Sequence, residues 1–158
     1  MSKNIHQWIS SYGESHQNPL NKKIHWVCVP AIMFSVMGLW WSIPRGYMPF
    51  IINNIQLNWA IIITALILLY YMRLSPVMAI GMFIIGFSLL AGNSYINTNF
   101  HTPLWKTSLM IFVVAWIGQF IGHKIEGKKP SFFQDIQFLL IGPAWLLSFI
   151  YNKLGIKY

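Results

Sequence analysis

The chain has only three acidic residues and five histidines among its 158 residues, and most of them fall in two short segments. Residues 14–30 read ESHQNPLNKKIHWVCVP and residues 118–135 read GQFIGHKIEGKKPSFFQD. Together they hold Glu14, Glu126 and Asp135, and with them His16, His25 and His123. His123 and Glu126 are three residues apart, so a helix through both presents them on one face about a turn apart. Asn21 and His25, four apart, also share a face. His16 and His25 are nine apart, and one straight helix at about 100° per residue would send them to opposite sides. Pro19 lets the chain bend between them so that both point inward. Imidazoles joined by a carboxylate suit a borderline divalent metal such as Fe(II) or Zn(II), with positions left for a substrate. The candidate ligands and catalytic groups are therefore His16, His25, His123 and Glu126. The competing reading makes them interfacial polar groups, with His123 and Glu126 capping a helix end or pairing with lysines. No compact HExxH-type motif decides between the two.

These segments must be brought together by what lies between them, and that is membrane. The sequence is 56% hydrophobic and 9% charged, against roughly 25% charged in an ordinary soluble domain. Stretches without Asp, Glu, Lys or Arg cover residues 24–44, 46–72, 74–105, 107–123 and 136–152. Each is long enough, or nearly so, for the roughly 17 to 25 residues that cross a bilayer. The expected fold is all-α: a multi-pass helical membrane protein, one domain over residues 1–158, with about five membrane-embedded helices. Ile5, Trp8, Ile9 and Tyr12 recur at helical spacing ahead of them, which predicts an N-terminal amphipathic helix lying on the membrane surface. Asn4, His6, Gln7 and Ser10 break any apolar stretch of a cleavable signal peptide.

Asn21 is the expected N-cap of a first membrane helix over about residues 22–41. A second is expected over residues 57–72 after a turn at Arg45 and Gly46, and a third over 77–94 after a tight turn at Arg73 and Pro76. The polar run from Asn93 to Thr102 should end that third helix. A fourth spans residues 104–123 and a fifth residues 133–151, with Gly142 and Pro143 expected to kink it. Gly81, Gly86, Gly92, Gly118 and Gly122 allow close helix approach. Five crossings put Lys3, Lys22, Lys23, Arg73, Lys124, Lys128 and Lys129 on one side and Arg45, Lys106, Lys153 and Lys157 on the other, which predicts a cytoplasmic N-terminus. Four crossings separate the two polar segments, so they share a face.

The net charge of +8 comes from basic residues scattered at segment ends, as topology determinants and contacts to anionic membrane lipids are; it forms no nucleic-acid-binding stripe. Cys28 is the one cysteine, which excludes an intrachain disulfide and a CxxC metal site. His6 and His101 read as solvated. The eight methionines show packing rather than ligand spacing.

With these residues in view, the chain resembles the membrane family of iron-dependent 2-hydroxy fatty acid dioxygenases, which has a fungal member acting in fatty acid α-oxidation and small bacterial relatives. The resemblance covers nearly the whole chain. It is carried by a His-x-Asn-Pro-x-Asn-x-x-x-His pattern, met by His16, Asn18, Pro19, Asn21 and His25 with Pro30 following, and by Gln119, Phe120, Gly122, His123 and Pro130 in the second segment. It implies Fe(II) held by histidines and cleavage of a long-chain 2-hydroxy fatty acid between C1 and C2 with O2, leaving an acid one carbon shorter. The size of the bacterial relatives implies a bacterial inner membrane. Asn21, Lys22 and Lys124 stand beside the histidines as candidate substrate-binding residues, though the lysines also serve the positive-inside rule. The competing function is a non-enzymatic membrane scaffold, or a lipid or ion carrier, whose histidines titrate or cap.

Overall fold

A computed structural model describes residues 3–44, 51–52, 55–127 and 135–158. Among these residues six helices follow one another: α1 Ile5–Gly13, α2 Pro19–Ser42, α3 Trp59–Leu74, α4 Pro76–Asn99, α5 Leu104–Glu126 and α6 Asp135–Leu154. A two-residue antiparallel ribbon, β1 Ile51–Ile52 with β2 Ile55–Gln56, sits between α2 and α3. The expected turn at Arg45 and Gly46 lies outside the described residues, as do Lys128, Lys129 and Pro130 and the expected start of the last helix at residue 133.

Capping chemistry sets the helix starts. Asn58 Oδ1 accepts from the Ile61 N–H to open α3, and Ser75 is both the single-residue link after α3 and the cap of α4, with Pro76 in the first helical position. Pro is favoured there because its missing N–H would have had no helical partner. The same logic corrects the start of α2. Asn18, not Asn21, is the N-cap, and Pro19 opens the helix rather than merely interrupting the chain. Gly127, in the left-handed region at φ 71°, stops α5 after Glu126. α4 runs five residues past the expected end at residue 94, because Asn93 is buried and paired: its amide donates to the carbonyls of Phe34 and Leu89. α6 continues as helix through Gly142 and Pro143.

Among the described residues three helices, α2, α4 and α5, are long and apolar enough to cross a membrane. Their outward positions are apolar too: Phe83, Phe87, Met110, Val114 and Ile121 are all exposed. That inverts the pattern of a soluble bundle and is the arrangement of a membrane protein. α3 has 16 residues, about 24 Å at 1.5 Å per residue against a hydrocarbon core of about 30 Å. α6 differs in kind. Residues 141–148 are buried in unbroken succession, as in a helix enclosed by protein on all sides. α1 packs along it: Ile5 joins Tyr71, Met78, Met82, Leu147 and Tyr151 in one apolar cluster, and Tyr12 joins Val29, Ile141, Trp145 and Leu146 in another. The apolar stripe of α1 is thus turned onto the bundle.

The most extensive helix pairing is α2 with α5, and it places the two polar segments side by side. Gly118 leaves room for the Cys28 sulfur, 2.6 Å from where a β-carbon would stand, and the corresponding position at Gly122 is filled by Asn21 Oδ1. Gly122→Val must therefore push the helices apart at the level of the histidines. The expected cost is about 1–3 kcal/mol in thermal unfolding.

Candidate metal centre

Each histidine of the two segments reaches the same point from a different element. α1 ends at Gly13, and the bend before Pro19 lets His16 fold back, where its ring stacks on Tyr12 with centroids 4.2 Å apart and planes 9° from parallel. His25 lies in the second turn of α2 and faces inward, 1% exposed; His16 is 3% exposed. His123 comes from the last turns of α5 and is half-buried, its ring centroid 5.4 Å from that of His16 and 5.3 Å from that of His25. One nitrogen from each of the three lies within 4.8 Å of the others.

The backbone fixes which nitrogens are presented. His16 Nδ1 is 2.8 Å from the Tyr12 carbonyl oxygen and His25 Nδ1 is 3.0 Å from the Asn21 carbonyl oxygen. A carbonyl can only accept, so both Nδ1 atoms carry the proton and a neutral ring keeps its lone pair on Nε2. Those two Nε2 atoms face each other at 3.0 Å. Two lone pairs that close repel unless a proton or a metal ion stands between them. Nitrogens about 2.0–2.1 Å from a shared ion stand roughly 3 Å from one another, so the donor set fits a metal, and His123 supplies a further imidazole. Nδ1–H bound to a backbone carbonyl is the usual way a protein orients a ligating histidine.

Glu126 stands one turn beyond His123, and both its oxygens are engaged. Oε1 accepts from the Gln17 N–H at 2.7 Å, and Oε2 accepts from the Asn18 N–H at 3.0 Å and the Asn21 side-chain amide at 2.9 Å. Asn21 is fully buried between α2 and α5, Lys22 is half-buried and Lys124 exposed. His6 and His101 are exposed and apart from the cluster, as their sequence context indicated, and His6 stacks on Tyr158.

Two neighbours escaped the sequence reading. Trp145 of α6, 3% exposed, tilts over His16 at 5.3 Å and meets His25 edge-on at 6.5 Å. Tyr12 forms the other wall. Its place four residues before His16 was a usable signal, since one helical turn brings such pairs together. Trp145 offered none, because its approach is made by a helix distant in sequence.

A three-histidine cluster, two of its members buried, on a helical membrane scaffold agrees with what comparison of sequences gives. The model of the 2-hydroxy-palmitic acid dioxygenase Mpo1-like family matches residues 2–154. The chain belongs to this family. Among its relatives, the 2-hydroxy-palmitic acid dioxygenase of Saccharomyces cerevisiae is 25% identical over 142 residues, which cover 89% of this chain and 75% of the yeast protein. No solved structure matches the chain. Membership bears out the resemblance carried by the two histidine patterns, and the histidines of both patterns meet in the cluster.

Proposed function

We propose that this protein is an Fe(II)-dependent dioxygenase that uses O2 to cleave long-chain 2-hydroxy fatty acids between C1 and C2, leaving the acid one carbon shorter while C1 departs as CO2 and the remaining oxygen as water. The observation that carries the reading is the pair of Nε2 atoms facing at 3.0 Å with both Nδ1 protons committed to backbone carbonyls; family membership supplies the reaction class. His16, His25 and His123 would hold the metal, which supplies O2 activation and a Lewis acid for the substrate's carboxylate and hydroxyl. The chain's own residues do the rest. Tyr12 and Trp145 wall the histidines against water on the α1 and α6 side. Lys22 and Lys124 place positive charge near the cluster and draw in the carboxylate. The exposed apolar faces of α2 and α5 let the acyl tail stay in lipid while its head reaches the histidines.

In this reading α3 and α6 complete five membrane-embedded helices, and both polar segments face the cytoplasm of a bacterial inner membrane, as the Lys/Arg asymmetry favours. The testing experiment is a comparison of substrates. Fe(II)-loaded protein supplied with O2 should convert a long-chain 2-hydroxy fatty acid to the acid one carbon shorter, whereas the unsubstituted acid should react at least about a hundredfold more slowly. Without the 2-hydroxyl, one of two anchoring contacts is lost and with it the orientation of the C1–C2 bond. Binding of both acids with turnover of neither would instead favour a carrier that holds fatty acids without chemistry.

A further inference from the structure

A capping box closes a helix start by two reciprocal bonds: the cap side chain accepts from the third residue's N–H, and the third residue's side chain accepts from the cap's N–H. α1 has the complete box, with Asn4 Oδ1 accepting from the Gln7 N–H and Gln7 Oε1 accepting from the Asn4 N–H. α2 has half of it. Asn18 Oδ1 accepts from the N–H groups of Leu20 and Asn21, but the third residue is Asn21, and its side-chain amide donates to Glu126. The Asn18 N–H goes to the Glu126 carboxylate instead. The missing half of the box comes from another helix.

That carboxylate touches the chain next to every histidine of the cluster. The Gln17 N–H that it accepts belongs to the peptide joining His16 to Gln17. Asn21, whose amide it holds, supplies the carbonyl that orients His25. Glu126 itself sits one turn from His123 on α5. Negative charge at the start of α2 is further favoured by the helix dipole. With its oxygens committed to these donors, Glu126 faces the framework. The geometry points to Glu126 as a positioning residue that sets the spacing of the three imidazoles by completing the α2 capping box in trans, rather than as a metal ligand. This rests on reading the three histidines as a metal site.

The test uses Co(II) alone as a probe on metal-free, full-length protein. Wild type should bind Co(II) and show a visible ligand-field spectrum. Glu126→Gln turns an acceptor into a donor against the N–H groups, and should weaken binding about 10- to 100-fold and shift the band of the bound fraction. Asn21→Ala, which removes a group holding the carboxylate and leaves every candidate ligand in place, should reproduce the shift. The double variant should be no weaker than the worse single one, since both act through one connection. A purely structural role would lower the unfolding temperature and leave the spectrum alone. Unchanged affinity and spectrum in Glu126→Gln, or additive losses in the double variant, would overturn the proposal. A wild type that binds no Co(II) would instead overturn the metal reading beneath it.

Discussion

Protein purified without added metal is expected to carry close to one divalent ion per chain, most of it iron, and His25→Ala is expected to carry less than about a tenth of that occupancy. His25 is 1% exposed, and its Nε2 is held 3.0 Å from that of His16. Its loss removes a donor and leaves His16 without the partner that makes a shared cation favourable. His16→Ala and His123→Ala should follow the same pattern. His101→Ala, at an exposed site beyond α4, should retain the wild-type metal, which separates this cluster from histidines in general. Elemental analysis of the four variants decides the matter. Metal retained in His25→Ala, or a metal-free wild type that is still active, would end the proposal of a histidine-held ion.

The second large effect concerns Trp145. It lies 3% exposed among Tyr12, Val29, Ile141 and Leu146 while covering His16. Truncation to Ala removes a large ring from a site that the surrounding helices can fill only in part, and the expected cost is about 3–5 kcal/mol. Trp145→Phe should recover most of it. Phe149, one turn away, touches Trp145 edge-on but is 40% exposed, so Phe149→Ala should cost much less. Thermal unfolding in one detergent compares all three. A Trp145→Ala protein as stable as wild type would mean that α6 does not pack over the histidines. Metal occupancy measured on the folded fraction shows whether the ring also protects the site: a partial loss is expected, smaller than that of His25→Ala.

Sequence alone identified the three histidines and their common destination, and the reason is topological. Four expected crossings between the two polar segments predict that they share a face, and the structure brings the three rings together. Composition and periodicity likewise marked the long apolar helices, the helix over the first dozen residues, and Gly118 and Gly122 as small residues of a packed helix face, because each is a property of one stretch of chain. Asn21 as the N-cap was a local error. Two asparagines flank Pro19, and the choice depends on the preference of Pro for the first helical position.

Only the tertiary structure decided what lies between elements. Periodicity reports which residues share a face of their own helix and is silent about what that face meets. The occupation of the Glu126 carboxylate by Gln17, Asn18 and Asn21 is such a fact, since spacing put Glu126 beside His123 without saying which way its oxygens turn. So is the burial of residues 141–148 on every side: an apolar helix facing lipid and one enclosed by protein have the same composition, and what covers the helix tells them apart. The tautomers of His16 and His25 are a third case. The i−4 carbonyls that fix them are present in any helix or turn, but the rings reach those oxygens because each histidine is packed against a neighbour that holds it there.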